Sequence, residues 1–126
     1  MALYADIVEI VAPDRAAPGS RVDVTVRVTN LHSDVISIMA GGALEFGLVP
    51  WPGIVFPDYW ANVTPGETWS CAGWFIMPER AVTVHVYSYW YGSDGLWHFD
   101  DEDTKAMALT ELRYEFDIGT PAVSAA

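Results

Sequence analysis

From Arg21 to Asn30 the chain reads Arg-Val-Asp-Val-Thr-Val-Arg-Val-Thr-Asn, with valine at every second position and a polar residue between. A period of two puts Val22, Val24, Val26 and Val28 on the buried side of a strand and Asp23, Thr25, Arg27 and Thr29 on the wet side. Pro18-Gly19 precedes this strand, and Pro65-Gly66-Glu67-Thr68 opens another over Glu67 to Met77, with Trp69, Cys71, Phe75 and Met77 on one face. Ala81 to Tyr91 sets Val82, Val84, Val86, Ser88 and Trp90 against Thr83, His85, Tyr87, Tyr89 and Tyr91. The valine side is core. Leu3 to Val11 alternates loosely and predicts an edge strand that buries Ile7 with Ile10 or Val8. Asp34 to Met39 predicts a third strand, which Gly41-Gly42 either ends or carries through a bulge into Leu44 to Val49. A turn at Gly92-Ser93-Asp94-Gly95 leads to Leu96–Phe99, then an acidic run, then a last strand from Lys105 to Phe116. Between these, Pro50 to Tyr59 carries three prolines, which remove backbone donors and make it a loop with an apolar load. The pattern is that of an all-β, antiparallel β-sandwich of about seven to eight strands.

Composition narrows the function. At 126 residues, 52% of them apolar, the chain fits one sandwich domain over 1–118, followed by a flexible C-terminal tail of small residues over 119–126. The formal charge of -11 repels a phosphate backbone, so no nucleic acid is expected as a partner, while cations and basic protein surfaces are favoured. A single cysteine, Cys71, excludes an intrachain disulfide and reads as a small buried hydrophobe. Met39 to Phe56 carries only one charge, Glu45, but Gly47, Pro50, Pro52 and Gly53 would break a spanning helix, so no membrane span is expected. Met1 to Asp6 has neither the basic start nor the apolar run of a signal peptide, which points to a virion protein or an excised extracellular module.

The period-two valines, the two Pro-Gly openings, Asn30 closing the second strand, Val63-Thr-Pro-Gly-Glu-Thr68 and Phe75-Ile-Met-Pro78 together resemble the immunoglobulin-like sandwiches of the CARDB and fibronectin type III kind. The resemblance covers roughly Asp6 to Leu112. The chain departs from it in lacking a Trp in the second strand, where fibronectin type III domains keep one, and in lacking the cysteine pair of antibody domains. Domains of these kinds serve as adhesion modules, spacers or virion surface proteins, so the resemblance implies binding rather than catalysis.

Candidate sites follow from the residues. Tyr87, Tyr89 and Tyr91 recur on the face opposite the valines, a row of rings about 7 Å apart that suits a protein interface or stacking on sugar rings. The loop Trp51 to Trp60 holds Trp51, Ile54, Phe56, Tyr59 and Trp60. It is either an attachment surface or a plug over an open sandwich edge. Asp100, Asp101 and Asp103, with Asp94 and His98 nearby, predict a loop of hard oxygen ligands that would suit calcium, without the residue order of an EF-hand. Asn62-Val63-Thr64 matches a glycosylation acceptor, but Pro65 follows it and no export signal precedes it. His32, His85 and His98 lie far apart in sequence and Cys71 sits mid-strand, so no nucleophile and base are paired and no enzyme is expected. The expectation is a non-enzymatic protein that self-associates or binds protein partners through the tyrosine face and the apolar loop. A virion decoration or tail-associated protein is the leading setting, with a cell-adhesion module or a carbohydrate-binding module, in which Tyr87, Tyr89, Tyr91, Trp90 or Trp97 would stack on sugar rings, as the alternative.

Overall fold

The structure, a computed structural model, describes residues 2–110. Eight strands run in order as β1 (Ala5–Val11), β2 (Arg15–Ala16), β3 (Arg21–Asn30), β4 (Ile36–Glu45), β5 (Trp60–Val63), β6 (Thr68–Ile76), β7 (Val82–Tyr91) and β8 (Trp97–Leu109). They form a three-stranded sheet, β1-β3-β6, and a five-stranded sheet, β2-β8-β7-β4-β5, with every pairing antiparallel except the short β2-β8 contact. The expected alternation holds where it was strongest. Val22, Val24, Val26 and Val28 of β3 face Val82, Val84 and Val86 of β7 across one core, joined by Ile38, Leu44, Cys71, Phe75, Met77 and Met107. Two buried polar side chains are satisfied in place, as burial requires. Ser88 Oγ donates to Ala5 O at 2.6 Å, linking the sheets. Asn30 Nδ2 donates to Val63 O and Asp34 O, and its Oδ1 accepts the His32 N–H.

The structure corrects three expectations. Gly41-Gly42 neither ends the third strand nor bulges it: β4 runs through both and stops at Glu45. Gly42 is there for close approach, since a Cβ on it would sit 2.8 Å from both Ile54 Cδ1 and His85 O on the inner side. The acidic run is not a loop. Asp100 to Asp103 lies inside the single long strand β8, which replaces the two strands and turn expected after Gly95. The ladder pairs Ser88 with Asp101 but Tyr89 with Phe99, so Asp100 is the extra residue of a β-bulge. The expected strand to Phe116 is present as far as Leu109; its remainder and the 119–126 tail lie outside the described residues.

The third correction concerns the loop before β5. Ile54 and Phe56 are not an attachment surface; both are buried in the core. The segment crosses from one sheet to the other: Ile54 N–H donates to Gly42 O of β4, while Val55 and Trp74 of β6 exchange both backbone hydrogen bonds. These bonds cover the free edges of β4 and β6, which would otherwise present unpaired backbone groups. Cys71 Sγ lies 3.4 Å from Asp58 O beneath this strap, and burial pushes its thiol up to about 11, so it stays protonated and inert at neutral pH. Of the alternatives the loop left open, these two residues take the plug.

Candidate functional site on the outer face of the five-stranded sheet

The register fixes which side chains share the outer face. Met39 pairs with Trp60 on one side and Tyr89 on the other, and Tyr89 pairs with Phe99, giving a row of large apolar groups across β5, β4, β7 and β8. Next to it runs Gly41, Tyr87 and Glu102, and beyond that Ala43, His85 and Thr104. Gly41 leaves a space over which Tyr89 leans, its Cε1 lying 3.8 Å from where a Cβ would be. Phe99 meets both Tyr87 and Tyr89 edge to face, with ring centroids 6.2 and 5.8 Å apart. Phe99 is 58% exposed, Trp60 48% and Tyr91 44%, so this face keeps large rings in water that the core does not take.

At one end of the face, His85 is held on every side. Its Nε2 lies 2.9 Å from Glu45 Oε1 of β4 and its Nδ1 lies 2.8 Å from Glu102 Oε2 of β8. Carboxylates only accept, so satisfying both contacts requires a proton on each nitrogen and an imidazolium ring. Burial pulls the His85 pKa down, but the hydrogen bonds and charges of the two glutamates outweigh it and hold it above the ordinary value. Trp51 from the strap stacks on the imidazole at a centroid distance of 4.6 Å. The same cluster acts on Tyr87, whose hydroxyl is pushed up by burial and by the charge of Glu102. With both nitrogens engaged, His85 has no free position for general-base work.

At the other end, Tyr59 of the strap, Trp60 of β5, Tyr91 of β7 and Trp97 of β8, with Ser37 of β4, line a cleft of about 310 Å³. Trp97 stands at 63° to Trp60 and at 68° to Tyr91, with centroids 6.5 and 5.1 Å away. The rings are therefore walls, not a flat platform. Ser37 Oγ is already committed, donating to Asn62 Oδ1 at 2.6 Å.

The acidic run does not build the expected calcium site. The bulge turns Asp100 towards β1, where its two oxygens accept the N–H groups of Leu3, Tyr4 and Ala5, and Asp101 accepts that of Ile7. Asp103 accepts the adjacent Thr104 N–H, and Asp94 pairs with His98. These carboxylates point at different partners. Among the described residues no group of three or more His, Cys, Asp or Glu side chains is arranged to hold a metal ion. Asp6, beside Asp100 and Asp101, has its carboxyl pushed up by burial and by those two charges.

Of the expected contact residues, the structure brings Tyr59, Trp60 and Tyr91 together at the cleft, Tyr87 and Tyr89 at mid-face, and Trp51 over His85, while Ile54 and Phe56 go inside. Sequence reasoning offered Trp97 only as a ring that could stack on a sugar, placed His85 on the tyrosine face without its partners, and missed Phe99 as a member of this surface. His85 shares the period-two face of the tyrosines, a signal that was present, but its glutamate partners come from two other strands.

No family model matches the chain, and no curated protein matches it. Solved structures do. The chain is similar to a CARDB domain from Pyrococcus furiosus, determined in complex with di-metal ions, at 12% identity and a TM-score of 0.59 over 85% of this chain and 90% of that one. It is also similar to the putative ApaA protein from Bordetella pertussis, at 17% identity and a TM-score of 0.54 over 85% of this chain and 98% of the other. A PKD domain of a peptidase from a Thermoplasmatales archaeon aligns at 13% identity and a TM-score of 0.50, over 88% of this chain and all of that one. The fold is an immunoglobulin-like β-sandwich. At these identities the likeness extends to architecture. No helix among the described residues is long and apolar enough to cross a membrane.

Proposed function

We propose that this immunoglobulin-like domain is a non-enzymatic interaction module whose contact surface is the outer face of its five-stranded sheet. The observation that carries the reading is the row Trp60, Met39, Tyr89 and Phe99 with Tyr91 and Trp97 beside it: five aromatic side chains and a methionine on one sheet face, with Trp60, Tyr91 and Phe99 standing in water, while the core is filled by valines on the other side. Exposed contiguous aromatic surface of this kind marks contact sites, because rings bury large area at low entropic cost and their polar tips stay satisfied. The setting we put forward is the surface of a virion, as a decoration or tail-associated subunit. Finding the chain in stoichiometric amount in purified particles tests that setting, and its absence from them would refute it.

The contact face itself is tested with a photo-crosslinking amino acid at Phe99 and, as a control, at Ile76 on the opposite sheet, alongside sedimentation velocity over rising protein concentration. The expected result is a specific adduct or self-association at Phe99 that is lost in Tyr89→Ala. A monomer that gives equal adducts at both positions would refute the reading.

A further inference from the structure

The cleft between Tyr59, Trp60, Tyr91 and Trp97 has a chemistry of its own. Sugar recognition needs a flat ring for the apolar face of the pyranose and free polar groups for its hydroxyls. Here Trp97 stands at 63° to Trp60 and at 68° to Tyr91, so no flat platform forms, and of the lining hydroxyls that of Ser37 is already donating to Asn62, leaving those of Tyr59 and Tyr91. Four aromatic rings gathered round one small space bring several electron-rich π-systems within reach of a single group, which favours a cation over an anion. The surroundings agree in sign. No charged side chain, and so no competing cation of the chain's own, lines the cleft, and the whole chain carries -11. Such a field raises the local concentration of positive groups and repels negative ones.

We infer that the Tyr59, Trp60, Tyr91 and Trp97 cleft is an aromatic cage for a cationic side chain, lysine or arginine, presented by a basic protein partner. The inference rests on the outer face being the contact surface and names the chemistry that surface selects. The cage would act as an anchor, taking one side chain in depth while the Tyr87, Tyr89 and Phe99 row supplies broad contact beside it.

The test follows the indole Nε1–H signals of Trp60 and Trp97 by NMR during titration with three Gly-Ser-X-Ser-Gly peptides in which X is lysine, arginine or norleucine, the last a neutral match for the lysine stem. The lysine or arginine peptide should shift both indoles saturably, with affinity at least tenfold above norleucine and falling as salt is raised. Trp97→Ala should abolish the shift of Trp60. Tyr59→Ala, which lies outside every strand, should weaken binding at least fivefold should Trp97→Ala fail to fold. Equal response to norleucine would make the cleft a plain apolar groove. A response to methyl glucoside without one to the cationic peptides would make it a sugar site, and choline binding tenfold more tightly than either peptide would make the occupant a free small molecule. Each of these overturns the inference. Crosslinking at Phe99 is independent of the titration. A silent titration with a surviving Phe99 adduct removes only the cage, and a cage that binds while Phe99 makes no specific contact removes only the wider reading.

Discussion

A single methyl group at Gly73 should unseat the strap that closes the sandwich. Gly73 faces inwards on β6 directly beneath Phe56: a Cβ built there falls 2.5 Å from Phe56 Cδ1, 2.6 Å from Cε1 and 2.7 Å from Val55 O. The ring would have to retreat by about 1 Å to regain ordinary contact. It has little room to do so, because Phe56 is buried and the two hydrogen bonds between Val55 and Trp74 pin the backbone beside it. Overpacking of this kind costs about 1–3 kcal/mol, and complete expulsion of the ring approaches the roughly 3–5 kcal/mol of a Phe→Ala truncation. Removing a glycine stiffens the unfolded chain and returns about 0.5–1 kcal/mol. Gly73→Ala should therefore destabilise the fold by about 2 kcal/mol in urea unfolding followed by tryptophan fluorescence. The diagnostic is the cycle with Phe56→Ala. Once the ring is gone two of the three close contacts disappear and only that with Val55 O remains, so the double variant should be more stable than the sum of the singles predicts by at least about 1 kcal/mol. A Gly73→Ala effect below about 0.5 kcal/mol, or strict additivity with Phe56→Ala, would refute the account of how the strap seats.

Other consequences follow from the same contacts. Asp100→Ala strips the acceptors from three amides at and just before the start of β1 and should destabilise by about 2–3 kcal/mol, with hydrogen exchange accelerated at Leu3, Tyr4 and Ala5; unchanged exchange there would remove its structural role. Trp51→Ser should leave the fold intact, whereas Phe56→Ser should cost about 3–5 kcal/mol, a contrast that thermal unfolding of the two variants would display or deny. His85 holds its proton more tightly folded than unfolded, so its contribution is complete below the ordinary histidine value of about 6.5 and is lost as pH rises through its higher folded value. Wild-type stability should accordingly decline on going from pH 6 to mildly alkaline conditions more steeply than that of His85→Gln, and parallel profiles for the two would show that the glutamate clamp contributes nothing.

What was legible in the chain was whatever depends on one strand at a time. The valines of β3 and β7 declare their buried face because side chains alternate with a period of two, and Pro-Gly turns mark where β3 and β6 begin. The same local rule placed the three tyrosines of β7 on the opposite face. Local rules misled where a neighbouring strand decides the outcome. Gly41-Gly42 looks like a break until Ile54 and Phe56 are seen filling the room inside Gly42, and four consecutive acidic residues look like a loop until the bulge at Asp100 turns two of them onto the amides of β1. Ile54 and Phe56 are indistinguishable in composition from Trp51 and Tyr59; only the crossing of the strap between the sheets sends the first pair inwards. The clamp on His85 draws on β4, β7 and β8, and the aromatic cleft on the strap, β5, β7 and β8. Pairing register between strands distant in the chain is set by collapse of the whole sandwich, so the buried sides were written in the sequence while the outer sites existed only once the sheets had closed.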